Sequence, residues 1–351
     1  MPAQRIVVIG GSAGGIEALL DIVKNLPADF PAPIFVTIHI PPDSPSFLPE
    51  IVAGRGRLRA KHAEDGERYR AGVIYIAPPD QHMLIHRNGR NGSLRVVRGP
   101  RENHHRPAID PLFRSAAVAA GRNAIGVILS GSLDDGTAGL LAIKQRGGIA
   151  VVQNPADALH ASMPQSAIEN VKVDHVVTLR ELPRKLSELL STEAPGLEEP
   201  SSEVEVLDME NRISEMDGKT MQQDARPGQP SAFSCPDCGG VLWEIHESDY
   251  VRFRCRVGHA FSPESMLASQ GDVLEQALWA ALKTLEETAR LSRRLANTER
   301  QRGHTWMAAR FDEREKEARE RADTIRRFLA SSTSEVPQIT PEELQANAPR
   351  R

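Results

Sequence analysis

Short apolar runs rich in Val and Ile alternate with helical stretches through the first half of the chain, and this alternation constrains the fold more than any other feature. The runs are Arg5–Ile9, Ile34–Ile38, Val73–Ala77, Ala124–Leu129, Ile149–Val152 and His175–Leu179. Several are apolar without interruption, as strands covered on both faces require. Amphipathic stretches lie between some of them, at Gly15–Asn25, Asp110–Ala120 and Thr137–Gln145. Such alternation predicts an α/β domain over residues 1–192: a doubly wound, mostly parallel sheet with helices on both faces, a Rossmann-like three-layer arrangement. His82–Gly99, with Asn88-Gly89 and Asn91-Gly92 at its tip, predicts a β-hairpin insertion.

The rest of the 351 residues divides differently. Residues 193–230 are rich in Glu, Ser, Pro, Gly and Asp, the composition of a flexible linker, with one short helix around Val204–Met216. Residues 231–263 hold all three cysteines. In residues 264–331, Leu274, Leu278, Leu282, Leu285, Ala289 and Leu295 recur at helical steps, and after Gly303 so do Met307, Phe311, Ala318, Ala322, Ile325 and Leu329. Two amphipathic helices joined by a short turn predict an α-helical hairpin. Residues 332–351 are expected to form a disordered tail. A net charge of −4 gives no electrostatic case for nucleic acid as a partner. No apolar stretch approaches the ~18 residues of a membrane span, and the first residues lack a signal-peptide pattern. The expectation is a soluble, cytoplasmic protein without direct membrane insertion.

The first strand runs into Gly10-Gly11-Ser12-Ala13-Gly14-Gly15. A dinucleotide fingerprint would need a glycine where Ser12 stands, and an acid at the end of the second strand, where His39 stands. The alternative is a nucleophile elbow, G-x-S-x-G between strand and helix, whose small neighbours permit a turn that lifts the hydroxyl above the sheet. A serine there also serves as a helix cap, so its partners decide. His39 directly follows the second strand, and Asp134 and Asp135 sit in the loop after Ala124–Leu129. A serine, an imidazole and a carboxylate thus end three strands at one rim, the set that acyl transfer needs.

With these segments in view, residues 1–192 resemble the catalytic domain of the CheB-type chemotaxis methylesterases. The resemblance rests on Gly-Gly-Ser-Ala-Gly-Gly (10–15), Thr-Ile-His-Ile (37–40), Tyr-Ile-Ala-Pro-Pro-Asp-Gln-His-Met (75–83) and His-Arg-Pro-Ala-Ile-Asp-Pro-Leu-Phe (105–113). It continues through Gly-Val-Ile-Leu-Ser-Gly-Ser-Leu-Asp-Asp-Gly (126–136), Val-Val-Gln-Asn-Pro (151–155) and Met-Pro-Gln-Ser-Ala-Ile (163–168). It implies a catalytic triad of Ser12, His39 and Asp135; the family's aspartate directly precedes a glycine, which selects Asp135 over Asp134. It also implies hydrolysis of glutamate methyl esters on chemoreceptor helices, with glutamine deamidation in some members, and no cofactor for catalysis. Two departures stand out. Family members usually carry an N-terminal phospho-receiver domain, whereas the first strand here begins at Arg5, so regulation by phosphorylation in cis is expected to be absent. Where the family often has a Met whose backbone amide faces the oxyanion, this chain has Ser132, a change that a backbone donor tolerates.

Cys235-Pro-Asp-Cys238 and Cys255-Arg-Val-Gly-His259 flank a 16-residue spacer suited to a hairpin. Three thiolates and an imidazole on tight turns complete a tetrahedral shell, so a structural Zn²⁺ held by Cys235, Cys238, Cys255 and His259 is expected. His246 is an alternative fourth ligand outside the knuckle pattern. A zinc ribbon with a helical hairpin is also appended to some relatives of this esterase. The leading function is therefore an esterase acting on a methylated chemoreceptor or similar protein; the alternative is a hydrolase-fold scaffold that works through its ribbon and hairpin.

Overall fold

The computed structural model describes residues 5–43, 45–88, 91–192, 204–223, 226–247 and 250–331. It divides into two compact units, Met1–Ser269 and Gln270–Arg351. In chain order the first unit opens with β1 (Ile6–Gly11), α1 (Gly15–Asn25), β2 (Ile34–Ile38), α2 (Leu48–Arg55), β3 (Arg59–His62) and β4 (Val73–Ile76). The hairpin β5 (His82–Asn88) and β6 (Asn91–Val97) follows, then α3 (Ile109–Ala120), β7 (Ala124–Ile128), α4 (Thr137–Gln145), β8 (Ile149–Gln153), α5 (Ser162–Asn170), β9 (His175–Val177) and α6 (Leu182–Ser191).

Seven strands form one sheet in the order β3-β4-β2-β1-β7-β8-β9, and every pairing in it is parallel. Alternation along β1 explains the three layers. Ile6 and Val8 join one core with Phe113, Leu140 and Ile143, beneath α3 and α4. Val7 and Ile9 join the opposite core with Leu19, Ile22 and Leu186, beneath α1 and α6. The chain leaves β1 towards β2 on one side and later returns to β7 on the other, so the strand order reverses between β1 and β7. Ligands of open parallel sheets bind beyond the strand carboxyl ends at such a switch point.

The short helix expected around Val204–Met216 is present, but the flexible linker expected over 193–230 is corrected where this segment is described. It carries α7 (Val204–Ser214) and α8 (Gly218–Gln222). Leu207 and Ile213 of α7 are buried, each worth about 1.5–3 kcal/mol, and Leu207 joins the core beneath α3. Glu210 and Ser214 of this helix are buried too, because charged partners meet them. Glu210 accepts from both terminal guanidinium nitrogens of Arg252 at 2.8 Å and from Nε of Arg254 at 3.0 Å. Ser214 donates to Glu102, which also accepts from Arg114 at 2.9 Å and Arg254 at 3.0 Å.

Arg252 and Arg254 belong to a second, four-stranded antiparallel sheet: β10 (Gln229–Ser234), β11 (Val241–Glu247), β12 (Tyr250–Cys255) and β13 (Ala260–Phe261). Then come α9 (Pro263–Gln301) and α10 (Thr305–Ser331). α9 starts within the first unit and runs into the second, which is the helical hairpin. Its buried apolar residues are mostly small, Ala289 and Ala296 with Leu282 on α9 and Ala308, Ala318 and Ala322 on α10, and the ion pairs Arg300–Asp312 and Arg326–Glu286 link the two helices. Leu274 and Met307, expected on the apolar faces, are 53% and 37% exposed. The tail 332–351 lies outside the described residues. Among the described residues no helix is long and apolar enough to cross a membrane.

Candidate active site

β1 ends in a turn that demands small residues. Gly14, at φ 73°, precedes α1; a Cβ there would come within 2.8 Å of Ser130 Oγ and of Leu159 Cβ. Gly131 is pressed against the same turn, since a Cβ on it would lie 2.9 Å from Ser12 Cβ. Ser12 is thereby fixed at the end of β1, and its amide donates to the Ser130 carbonyl at 2.9 Å.

The structure brings the three residues expected at the rim into one line. Ser12 Oγ lies 3.0 Å from His39 Nδ1, and His39 Nε2 lies 2.7 Å from Asp135 Oδ2. His39 follows β2 and is held by its own amide, which donates to Gly11 at 3.1 Å. Asp135 sits in the loop after β7 and is fully buried. Besides His39 it accepts from the Asn103 side-chain amide at 2.8 Å and from the Ile109 and Asp110 amides at 2.7 and 3.3 Å. The last two are the free N–H groups of the first turn of α3, a natural seat for an anion. Burial pushes this carboxyl up, but the hydrogen bond and charge of His39, with the Ile109 and Asn103 donors, outweigh it and hold it at about 2. Asp135 is therefore a carboxylate at any physiological pH.

Asp134 serves other partners. It accepts from the Ser262 hydroxyl at 2.6 Å and from the Tyr250 hydroxyl at 3.2 Å. Burial and the nearby Glu264 push its carboxyl up to about 7, against the lowering effect of these two donors.

Three neighbours of the line were not singled out as site residues from sequence. His105 stacks on His39 with ring centroids 3.5 Å apart; burial, then the charge of His39, push its pKa down to about 3, so it stays a neutral ring. Asp110 lies beneath, pushed up to about 7 by burial and the charge of Asp135. Asn103 donates to both Asp110 and Asp135. The only available signal was position: His105 and Asp110 lie in the 105–113 stretch that leads into α3. A cleft of about 380 Å³ opens beside His39, lined among others by Pro41, Pro42, Arg101, His104 and Arg106.

The expected metal ligands converge in the small sheet. One ligand atom from each of Cys235, Cys238, Cys255 and His259 lies within 4.8 Å of every other. Cys238 Sγ is 3.7 Å from Cys255 Sγ, and His259 Nδ1 is 3.6 Å from both Cys235 Sγ and Cys255 Sγ. A tetrahedral zinc shell requires S···S of about 3.8 Å and S···N of about 3.6 Å, so the donor set fits a metal ion. Tight turns present it: Gly239 donates to the Cys235 carbonyl, and Gly258 to that of Cys255. His246 stands apart, paired with Glu244.

A hydroxyl, an imidazole and a buried carboxylate in hydrogen-bonded sequence at the carboxyl rim of a parallel sheet are the arrangement that serine hydrolases use. The chain belongs to the CheB methylesterase family, whose model matches residues 7–186. The protein-glutamate methylesterase/protein-glutamine glutaminase of Salmonella typhimurium is 40% identical over 186 residues, 53% of this chain and 53% of that protein. The protein of the same name from Escherichia coli is 39% identical with the same coverage. The CheB methylesterase catalytic domain of Thermotoga maritima superposes with a TM-score of 0.52 at 36% identity, over 53% of this chain and 99% of that one. The chain thus spans about half the length of the curated relatives it matches.

Proposed function

We propose that the protein hydrolyses methyl esters of glutamate side chains on chemoreceptor-like helices, with Ser12 as nucleophile, His39 as general base and acid, and Asp135 as the group that fixes the imidazole. The observation that carries this reading is the Ser12–His39–Asp135 line, at 3.0 and 2.7 Å, in a chain of the CheB methylesterase family. With Nε2–H committed to Asp135, Nδ1 is the free lone pair that accepts the Ser12 proton. Oγ then attacks the ester carbonyl; the imidazolium returns the proton to the departing methoxide, releasing methanol and leaving a glutamyl ester on Ser12. Water, deprotonated by the same nitrogen, hydrolyses that intermediate and frees the glutamate carboxylate. Glutamine would follow the same route with ammonia leaving, in line with the glutaminase half of the relatives' name.

The developing oxyanion needs donors. The amides of Ser12 and Gly131 are already committed, to Ser130 and His160, which favours the Ser132 amide for this task. Zn²⁺ held by Cys235, Cys238, Cys255 and His259 would be structural, since four protein ligands close its shell. The test is methanol release from a methylated chemoreceptor fragment by wild type and Ser12→Ala. Release that persists in Ser12→Ala would overturn the assignment.

A further inference from the structure

The loop that supports the triad is shared with the cysteine-bearing sheet. Residues 101–103 pair with β13: the Asn103 amide donates to the Ala260 carbonyl at 2.8 Å, and the Ala260 amide to the Arg101 carbonyl at 3.3 Å. Residues that follow β13 grip the Asn103 side chain itself. Its Oδ1 accepts from the Ser262 amide at 2.9 Å and from the Ser265 hydroxyl at 3.1 Å. Ser262 is placed for this as the cap of α9: its hydroxyl accepts from the Ser265 amide at 3.0 Å, and Pro263 opens the helix.

These contacts fix which way round the Asn103 amide lies. An amide has one accepting oxygen and one donating nitrogen. With Oδ1 held by two donors from the 262–265 turn, Nδ2 must face Asp135 and Asp110, each at 2.8 Å. Turned over, it would set an oxygen against the Asp135 carboxylate and an NH₂ group against the Ser262 amide. Asn103 is buried and its backbone sits at φ 48°, a conformation that asparagine tolerates better than most residues. Burial leaves no water to replace a missing donor.

We infer that Asn103 is a positioning residue for the proposed triad and that Ser262 and Ser265, outside the segment matched by the family model, aim it. The inference rests on the triad reading of the preceding subsection. Asn103 orients Asp135, Asp135 orients His39, and the cysteine-bearing sheet thereby becomes part of the support of the esterase site.

The experiment uses the full-length, metal-loaded protein and compares wild type with Asn103→Ala, Ser265→Ala and Ser12→Ala. Three quantities are read: kcat and KM on p-nitrophenyl acetate, the pH profile of kcat/KM, and the downfield proton resonance of the His39–Asp135 hydrogen bond. Asn103→Ala is expected to lower kcat by about tenfold to hundredfold with KM nearly unchanged, the scale of a small misplacement of a catalytic group. Its downfield resonance should shift or broaden, and the acid limb of its profile should move, because the carboxylate that faces the imidazole loses a donor. Ser265→Ala should show the same changes in smaller degree. Wild-type kinetics and resonance in Asn103→Ala would overturn the inference. If Asn103→Ala does not fold, Ser265→Ala decides: an unmoved resonance and pH profile there would also overturn it. Ser12→Ala separates the two readings. Retained turnover in it refutes the nucleophile, while the resonance still reports whether Asn103 governs Asp135.

Discussion

Asp134 and Asp135 are adjacent in the chain yet bind different elements: Asp135 accepts from His39 at 2.7 Å, and Asp134 accepts from Ser262 at 2.6 Å. One loop therefore reaches both the imidazole and the cap of α9. Asp135→Asn is expected to cost about 10⁴-fold in kcat, because an amide at this site no longer enforces the tautomer in which Nδ1 is free. Asp134→Asn, which can keep both of its hydroxyl partners, should stay within about tenfold of wild type on the same scale. Steady-state kinetics on one ester with both variants checks the ranking; the reverse order would transfer the orienting role to Asp134.

Ser12→Ala and His39→Ala should each remove nearly all turnover, by at least about 10⁴-fold, while leaving the fold intact. The double variant should be little worse than either single one, since the two side chains act as a unit. Additive losses in the double variant would mean that they do not.

Asp134 and Asp110 give the stability an uncommon dependence on pH. Both carboxyls are pushed up to about 7 in the folded protein, from an ordinary value of 3.8. A folded pKa raised above the unfolded one contributes stability that is complete below about pH 4 and lost as pH rises through about 7. Asp135, held at about 2, acts in the opposite sense: its contribution is complete above the ordinary value and lost only as pH falls towards 2. Between pH 4 and 8, Asp134→Asn should therefore flatten the decline of the unfolding midpoint, because an amide does not ionise. Thermal melts across that window would show it; parallel curves for variant and wild type would refute it.

Chelation should be felt in the parallel-sheet domain, contrary to what a flexible linker would allow. Ligand turns that lose their ion no longer hold β13, and β13 holds residues 101–103. Chelation should raise amide exchange both in residues 229–262 and in residues 101–106, and it should lower kcat. Exchange confined to the cysteine-bearing sheet would show that the two parts are energetically separate.

The parallel core was legible because its signal is apolar and periodic. The bounds of α1 and α4 agree with the expected Gly15–Asn25 and Thr137–Gln145, since glycines in the left-handed region precede both helices. Strand β3 escaped notice because Arg59-Ala60-Lys61-His62 is a polar, half-exposed edge strand with no apolar run to betray it. The helices α2, α5 and α6 were also not anticipated; each has a proline at its second or third position, which reads equally well as a turn. α7 was expected as a helix but set within a linker for a physical reason: its buried Glu210 and Ser214 are polar, and their charged partners lie far away in sequence. Of the site, Ser12, His39 and the Asp134-Asp135 pair could be read from strand ends. Asn103 could not, since a bridging amide is defined by the contacts on both of its sides.

Among the described residues, Glu102 and Glu210 are neutralised by arginines from more than one segment, Arg114 of α3 and Arg252 and Arg254 of β12. Removing one member of such a buried set leaves a charge with no counterpart, at about 3–5 kcal/mol. The two halves of this chain are consequently not interchangeable parts. A chimera that keeps the first half but takes its continuation from a protein lacking Arg254 would leave Glu102 with Arg114 as its only remaining arginine partner among the described residues, next to the loop that holds Asn103. Descent should therefore preserve residues 102, 114, 210, 252 and 254 as a set, and a change at any one of them invites a compensating change in another.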